Sequence, residues 1–376
     1  MAGIYIHIPF CKQACHYCNF HFSTSMKLQN DFSDALLKEM HLRKDYLGND
    51  KVNTIYFGGG TPSLLTAEQL MHIMQALYST FYIDPVAEIT LEANPDDINV
   101  PLLINWKQNG INRLSVGIQS FFREDLLWMN RAHDEVQAFE CITMAQEEGF
   151  DNMSIDLIYG TPTLSDEHWL HNMQKAVELN VPHLSCYALT VEPGTALASM
   201  TTKKKVLPVN SDDQARQFVM MTNHLSSNGY EHYEISNFSL PGKRSRHNSS
   251  YWSGEKYIGL GPSAHSFNGD SRQWNVANNA LYIKSISDGQ VPFEMEMLSA
   301  TQCFNEYIMT SLRTIEGTDL KVAKVRFGDE PAKDLIKNSH KFIERGWMQH
   351  VSDRLVLTKE GRLFADGIAA ELFEED

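Results

Sequence analysis

The sequence predicts an α/β protein: an incomplete (β/α)6 TIM-like barrel followed by a smaller, mainly helical C-terminal domain of winged-helix character. Three observations lead there. Strand-like runs rich in β-branched and aromatic residues alternate with helix-period stretches from residue 3 to residue 190, the pattern of a parallel sheet with helical crossovers. Six such units follow without a break, which favours a curved barrel over a flat sheet wound in two halves. The chain has 376 residues, and single cores stop growing beyond roughly 250–300 residues, so a second domain is expected.

The strand-like runs are 4–9, 53–57, 88–92, 113–119, 153–158 and 184–189. Between them, 31–47 places Phe32, Leu36 and Met40 at i, i+4 and i+8, one face of a helix. A second helix over 134–148 is stopped by Gly149, and 166–179 forms a third. Residues 201–210 carry Lys203, Lys204 and Lys205 ahead of Pro208 and read as an exposed loop. One more helix is expected over 211–227 and one more strand over 231–238. Residues 239–275 are rich in Gly, Ser, Pro and aromatics with little periodicity; irregular stretches of that length are usually functional or disordered. Helices over 300–312 and 334–345, a strand over 354–357 and a last helix after Thr358 make up the C-terminal part. The expected divisions are 1–235 for the barrel, 236–298 for an irregular connecting segment and 299–376 for the C-terminal domain.

Basic side chains number 32 and acidic ones 47, a net charge of −15, which argues against a protein wrapped by duplex nucleic acid. Residues 299–376 carry 11 basic and 14 acidic side chains, so the winged-helix character does not imply DNA reading. A hydrophobic fraction of 43% excludes a disordered chain. No stretch approaches the roughly 18 apolar residues of a membrane span. The first ten residues place no basic cluster before their short apolar run, so no signal peptide and a cytoplasmic location are expected. Of six cysteines, Cys141, Cys186 and Cys303 stand apart in apolar surroundings, the usual setting of small buried thiols.

The other three fall within eight residues. In a reducing cytoplasm such a group binds metal or does redox chemistry rather than forming disulfides. Cys11-x3-Cys15-x2-Cys18, directly after the first strand, can present three thiolates to one face of a [4Fe–4S] cluster and leave one iron open, whereas ferredoxin runs supply four. Structural zinc, with His16 or His21 as a fourth ligand, is an alternative. Zinc sites ordinarily pair two separated knuckles, however, and no second Cys/His pair with that spacing occurs here. Inert or disulfide-linked thiols are the remaining reading.

The run His7-Ile8-Pro9-Phe10-Cys11-x3-Cys15-x-Tyr17-Cys18 resembles the opening of radical S-adenosylmethionine (SAM) proteins. More narrowly, it resembles the family around oxygen-independent coproporphyrinogen III oxidase, and the likeness extends over nearly the whole chain. In that superfamily the amino and carboxylate groups of SAM chelate the open iron, and the reduced cluster cleaves SAM to a 5′-deoxyadenosyl radical. Gly58-Gly59-Gly60-Thr61-Pro62 ends the second strand, where glycines let backbone approach a ligand; alone, it reads equally as a plain strand-to-helix turn. Glu92 ends the third strand, Gln119 the fourth, and Asp156 lies on the fifth. Carboxylates there can accept from ribose hydroxyls, and an amide can both donate and accept. Each alone could equally be a generic polar cap, since polar groups on apolar strands must be paired. The resemblance implies SAM contacts for Tyr5, Tyr17, Gly59, Gly60, Thr61, Glu92, Gln119, Arg131, Asp156 and Ala188. The family oxidase holds a second SAM at a set including Gln119, Arg131 and Asp156.

Two departures separate the chain from the oxidase pattern. Phe20 stands where the oxidase carries a fourth cysteine. The oxidase also runs several dozen residues ahead of its cluster, whereas Cys11 lies near the start here, so no such cover is expected. Both traits resemble the HemW-type heme chaperone branch. His247-Asn248-x-x-Tyr251-Trp252 matches that branch's heme-associated motif, which makes His247, Asn248, Tyr251 and Trp252 heme candidates. A neutral imidazole is a good axial iron ligand, and Tyr251 and Trp252 can cover a porphyrin face. Lys243, Arg244 and Arg246 can pair with propionates. The plain alternative is a loop anchored by its aromatics, with His247 satisfied by a carbonyl. His265, on the loop Gly259-Leu260-Gly261-Pro262-Ser263-Ala264-His265, competes for the axial position.

The resemblance thus implies a chaperone that binds a [4Fe–4S] cluster, SAM and heme. It would pass heme to acceptor proteins such as respiratory enzymes, with the C-terminal domain helping to hold or release the cargo. An electron donor such as flavodoxin or ferredoxin would serve the cluster. The competing expectation is oxidative decarboxylation of coproporphyrinogen III to protoporphyrinogen IX, and a third is a radical SAM enzyme with another substrate.

Overall fold

The computed structural model describes residues 2–375. Six strands stand parallel in chain order: β1 (Ala2–Ile8), β2 (Val52–Gly59), β3 (Ile83–Ala93), β4 (Arg113–Gln119), β5 (Met153–Tyr159) and β6 (His183–Ala188). Helices cover one face of this sheet, and the strands alternate accordingly: in β4, Leu114, Val116 and Ile118 belong to the apolar core while Arg113, Ser115 and Gln119, which alternate with them, are polar; β1 leaves only Tyr5 partly exposed. The crossovers carry α1 (Gln29–Leu42), α2 (Ala67–Thr80), α3 (Val100–Gln108), α4 (Arg123–Trp128), α5 (Glu135–Glu147) and α6 (Asp166–Glu178). After β6 come α7 (Ala196–Thr202) and α8 (Ser211–Ser227). Local chemistry sets their starts. Thr66 with Gln69, and Asp134 with Gln137, form reciprocal capping boxes that satisfy orphan N–H groups at the first turns of α2 and α5.

The single strand expected over 231–238 is instead a tight hairpin of β7 (Glu231–Glu234) and β8 (Asn237–Ser239). The Glu234 carboxylate causes the turn: it accepts from the Ser236 N–H at 3.0 Å and from the Asn237 amide at 2.6 Å. The stretch expected to be irregular over 236–298 is largely regular. It holds α9 (Arg246–Trp252), β9 (Lys256–Leu260), β10 (His265–Phe267), β11 (Ser271–Asn275), α10 (Asn279–Ser287) and β12 (Phe293–Met297). β9 lies parallel to β1 with Gly259 opposite Tyr5, a seventh parallel strand, and β10 to β12 continue antiparallel. These strands run only three to five residues, too short for a period to show between Gly, Ser and Pro turns. The sheet order is β12-β11-β10-β9-β1-β2-β3-β4-β5-β6-β8-β7. Its two ends do not pair with each other among the described residues, so the barrel is incomplete.

The chain ends in α11 (Ala300–Leu312), β13 (Thr318–Asp319), α12 (Leu320–Phe327), α13 (Asp329–Glu344), β14 (Met348–Val351), β15 (Arg354–Leu357) and α14 (Ala365–Glu371). These four helices and the separate three-stranded sheet have winged-helix form, around a core of their own that includes Phe304, Ile308, Phe342 and Leu355. Arg313 seals this part to the barrel. It pairs with Glu234 at 2.9 Å and Asp366 at 2.7 Å, and its guanidinium lies 5.2 Å from the Trp252 ring centre.

Candidate functional site

The loop after β1 and the carboxyl ends of the following strands surround one cavity of about 430 Å3, and Cys11, Cys15 and Cys18 all line it. Backbone and side chains pin this loop from two sides. His16 donates through Nδ1 to the Trp128 carbonyl at 2.8 Å, and Gln13 donates to Asn130 at 2.9 Å. Lys12 pairs with Asp96 at 2.9 Å and also with Asp97. Leu126, Met129, Ile158, Leu189 and Leu197 back the loop as a small apolar cluster against which Tyr17 packs.

Burial pushes the Cys11 thiol up to about 11, against a hydrogen bond with Thr61, and pushes Cys18 up as well. Loading metal therefore means displacing protons. Among the described residues, no three His, Cys, Asp or Glu side chains converge as a ready single-ion site. The three thiols nevertheless line the same cavity. The histidines of the zinc alternative point elsewhere: His16 is held by Trp128, and His21 donates to Asn279 at 2.7 Å.

Opposite the thiols, the strand ends supply hydrogen-bonding groups. Arg131 donates to Cys15 Sγ at 3.3 Å, Asn94 Oδ1 at 2.8 Å and the Gly117 carbonyl at 2.7 Å. Its Nε is buried and unpartnered within the chain, a donor that an anionic ligand in the cavity would satisfy. Glu92 accepts from Tyr56 at 2.7 Å. Burial, with Asp156 nearby, pushes Glu92 up to about 7, and burial pushes Asp156 up to about 6. Gln119 holds φ at 65°, a left-handed conformation that costs a non-glycine residue energy and recurs at ligand sites. Gly60 touches β1 so closely that a Cβ would come within 2.7 Å of the Ile8 and Phe10 carbonyls. The residues present thus fit a cluster on the three thiols and a ligand bearing both charge and hydroxyls.

Of the ten residues that the resemblance ties to SAM, Tyr17, Gly59, Gly60, Thr61, Glu92, Gln119, Arg131, Asp156 and Ala188 line this cavity. Tyr5 does not; its ring stacks on Tyr56 at 6.2 Å and borders a neighbouring cavity. Sequence reasoning passed over Tyr56, Asn94, Ser185 and Tyr187, which also line it. Asn94 had a signal, sitting two residues after Glu92 ahead of a proline, whereas Tyr56 and Tyr187 look like ordinary strand aromatics.

Within the His-Asn-x-x-Tyr-Trp motif His247 and Tyr251 touch, but the four residues do not line a single cavity. His247 is 1% exposed. Its Nδ1 is hydrogen-bonded to Thr54 at 2.8 Å and its Nε2 to Tyr251 at 2.9 Å, and its ring stacks on Tyr56. Burial pushes it down to about 3, so the imidazole is neutral with both nitrogens engaged. Asn248 borders the cavity of the three thiols, Tyr251 the neighbouring one and Trp252 the seam with the C-terminal part, while Tyr251 and Trp252 also share a further pocket. Arg244 is committed to Glu231 and Glu316 at 2.8 and 2.7 Å, and Arg246 donates to the Val86 carbonyl at 2.9 Å. Arg244 is thus engaged in ion pairs, whereas Arg246 is exposed and, among the described residues, its guanidinium makes this one hydrogen bond.

The Radical SAM superfamily model matches residues 5–176, and the HemN C-terminal domain model matches residues 298–364. Heme chaperone HemW of Mycobacterium tuberculosis strain H37Rv is 34% identical over 375 residues, 98% of this chain and 94% of that protein. Heme chaperone HemW of Bacillus subtilis strain 168 is 32% identical over 379 residues, 98% of each chain. Heme chaperone HemW of Escherichia coli K12 is 32% identical over 380 residues, 99% of this chain and 97% of that one. Among solved structures, the E. coli coproporphyrinogen III oxidase HemN superposes with a TM-score of 0.86 at 24% identity. That match covers 99% of this chain and 90% of the oxidase, and it is a likeness of fold. No helix among the described residues is long and apolar enough to cross a membrane. With its thiol loop, strand-end cavity and near-full-length relatives taken together, the chain belongs to the HemW-type family of radical SAM proteins.

Proposed function

We propose that this chain is a cytoplasmic heme chaperone. It carries a [4Fe–4S] cluster on Cys11, Cys15 and Cys18, holds SAM at the ends of β2 to β6, binds heme and passes it to acceptor proteins such as respiratory enzymes. The observation that carries the reading is the convergence of three thiols and Arg131 on one cavity in a chain whose full-length relatives bear the name heme chaperone. Bound there, the cluster supplies single electrons, received from a donor such as flavodoxin or ferredoxin. The chain's own groups do the rest. Arg131 orients an anionic group beside Cys15, Glu92 and Asp156 accept from hydroxyls, and the Gly59–Gly60 backbone lets the ligand approach closely. Phe20, 65% exposed at the cavity mouth, stands where the oxidase pattern has its fourth cysteine and favours carriage over decarboxylation.

A paired assay tests this. Anaerobic, cluster-loaded protein receives coproporphyrinogen III, SAM and a reductant in one arm; in the other it is titrated with hemin and then mixed with a heme-free acceptor. We expect a shifted Soret band, heme transfer and no protoporphyrinogen. Protoporphyrinogen formed at enzymatic rates would overturn the proposal in favour of the oxidase, and so would the lack of any Soret shift.

A further inference from the structure

Beside the cofactor cavity lies a second one of about 410 Å3. Asn19 and Phe20 border both, so the cysteine loop is the partition between them. The other walls of the second cavity include Tyr5, His7, His21, Tyr251, Tyr257 and His265. A chamber walled by aromatic rings and imidazoles suits a large flat ligand with a metal centre.

The three imidazoles are not equivalent. His7 donates through Nε2 to the His21 carbonyl at 2.8 Å, and its Nδ1 faces the Tyr5 hydroxyl at 3.4 Å. His21 gives its Nε2 to Asn279. The His265 ring lies 6.2 Å from Trp274 in a stacked arrangement, and among the described residues neither of its nitrogens makes a hydrogen bond. It is exposed, and it is the wall histidine whose two nitrogens face solvent, open to a ligand, rather than protein partners.

Its carrier loop is rigidly built. Gly261 adopts φ of +97° and packs so tightly that a Cβ would come within 2.5 Å of the His7 carbonyl. The Gly261 N–H donates to Glu39 at 2.8 Å, while Arg43 donates to the Gly259 carbonyl at 2.8 Å and to Ser266 at 3.1 Å. The buried Glu39 carboxylate on α1 and the buried Arg43 guanidinium at its C-terminal cap therefore fix the loop on both sides of the turn, the support that a precise metal ligand requires.

We propose that heme occupies this second cavity, with His265 as an axial ligand of its iron, across the cysteine loop from SAM. The inference rests on the heme-chaperone reading and names its cargo site. Tyr5 and Tyr251 then face the porphyrin, and Phe20 stands between the porphyrin and the cluster.

Hemin titration of the anaerobic, cluster-loaded protein tests it, followed by absorption and electron paramagnetic resonance of the ferric heme. His265→Ala should weaken hemin binding by about tenfold or more and remove the nitrogen-ligated signal. Added imidazole should restore that signal, and cluster content and SAM binding should stay at the wild-type level. In wild-type protein, prebound hemin should also protect His265 from diethyl pyrocarbonate, read by mass spectrometry. Unchanged hemin affinity and spectrum in His265→Ala, or no protection of His265, overturns the ligand assignment and leaves the chaperone reading standing. A wild-type protein that binds no hemin overturns both.

Discussion

Arg131 joins the cysteine loop to the strand ends from the barrel side. One guanidinium touches Cys15, Asn94 and the Gly117 carbonyl, on three separate segments. Cys15→Ala removes a cluster thiolate, and the expected result is loss of the brown cluster absorption after anaerobic reconstitution; an intact spectrum would refute the three-thiolate assignment. Gly117→Ala is subtler. The added Cβ would sit 2.9 Å from Gln119 Nε2 and 3.1 Å from Arg131 Nη2. Both are ends of flexible side chains, so stability should change by less than about 1 kcal/mol. SAM binding, measured calorimetrically, should weaken by about tenfold as Arg131 is displaced; unaltered SAM affinity would place the ligand away from Arg131. Glu92, Gln119 and Asp156 were legible in the sequence because polar side chains stand out in apolar strands. The free nitrogens of His265 were not, since which histidines find partners depends on neighbours far away in the chain.

At the scale of elements, α1 does more than cover the sheet. Glu39 is fully buried and accepts from Tyr282 at 2.6 Å, Asn275 at 2.7 Å and the Gly261 N–H at 2.8 Å, with Arg43 beside it. One carboxylate thus ties α1 to α10, β11 and the loop after β9. Glu39→Ala leaves Arg43 and these donors uncompensated in the interior, a defect that typically costs about 3–5 kcal/mol. Denaturant unfolding should show a loss of that size, and a change under 1 kcal/mol would mean that the network contributes little. The helix itself was readable from Phe32, Leu36 and Met40, but a mid-helix glutamate carries no mark of burial. The same limit applies to α9. Its seven residues turn successive side chains by about 100°, so a motif contiguous in sequence reaches several different cavities.

Across the whole molecule, burial depresses His7 and His133 to about 4, and His232 and His247 to about 3. These rings stay neutral when folded but take up protons near pH 6.5 when unfolded, so their contribution is present above that pH and is lost as pH falls toward 4. Glu92 and Asp156 act in the opposite direction: their raised values favour the folded state at lower pH, and that advantage fades as pH rises through about 6 to 7. Each unmatched proton is worth roughly 1.4 kcal/mol per pH unit; burial also lowers His183 and raises Glu39, Asp97 and Asp125, and among the six strongly displaced groups named above the four histidines outweigh the two carboxylates. The melting temperature should therefore fall between pH 7 and pH 5, as followed by circular dichroism. A rise over that interval would show that the histidines titrate normally in the folded protein.

The alternation of strands and helices, the Cys-x3-Cys-x2-Cys spacing and the polar residues at strand ends determined from sequence alone the barrel and which residues gather around its main cavity. They are local signals, carried by periodicity and by chemistry within a few residues. The tertiary structure decided what local signals cannot carry. It made β9 a seventh parallel strand beside β1, split 231–238 into a hairpin around the Glu234 carboxylate, engaged both nitrogens of His247 and left those of His265 free. Each of these depends on pairings between residues distant in the chain, and such pairings form only when the whole sheet assembles around them.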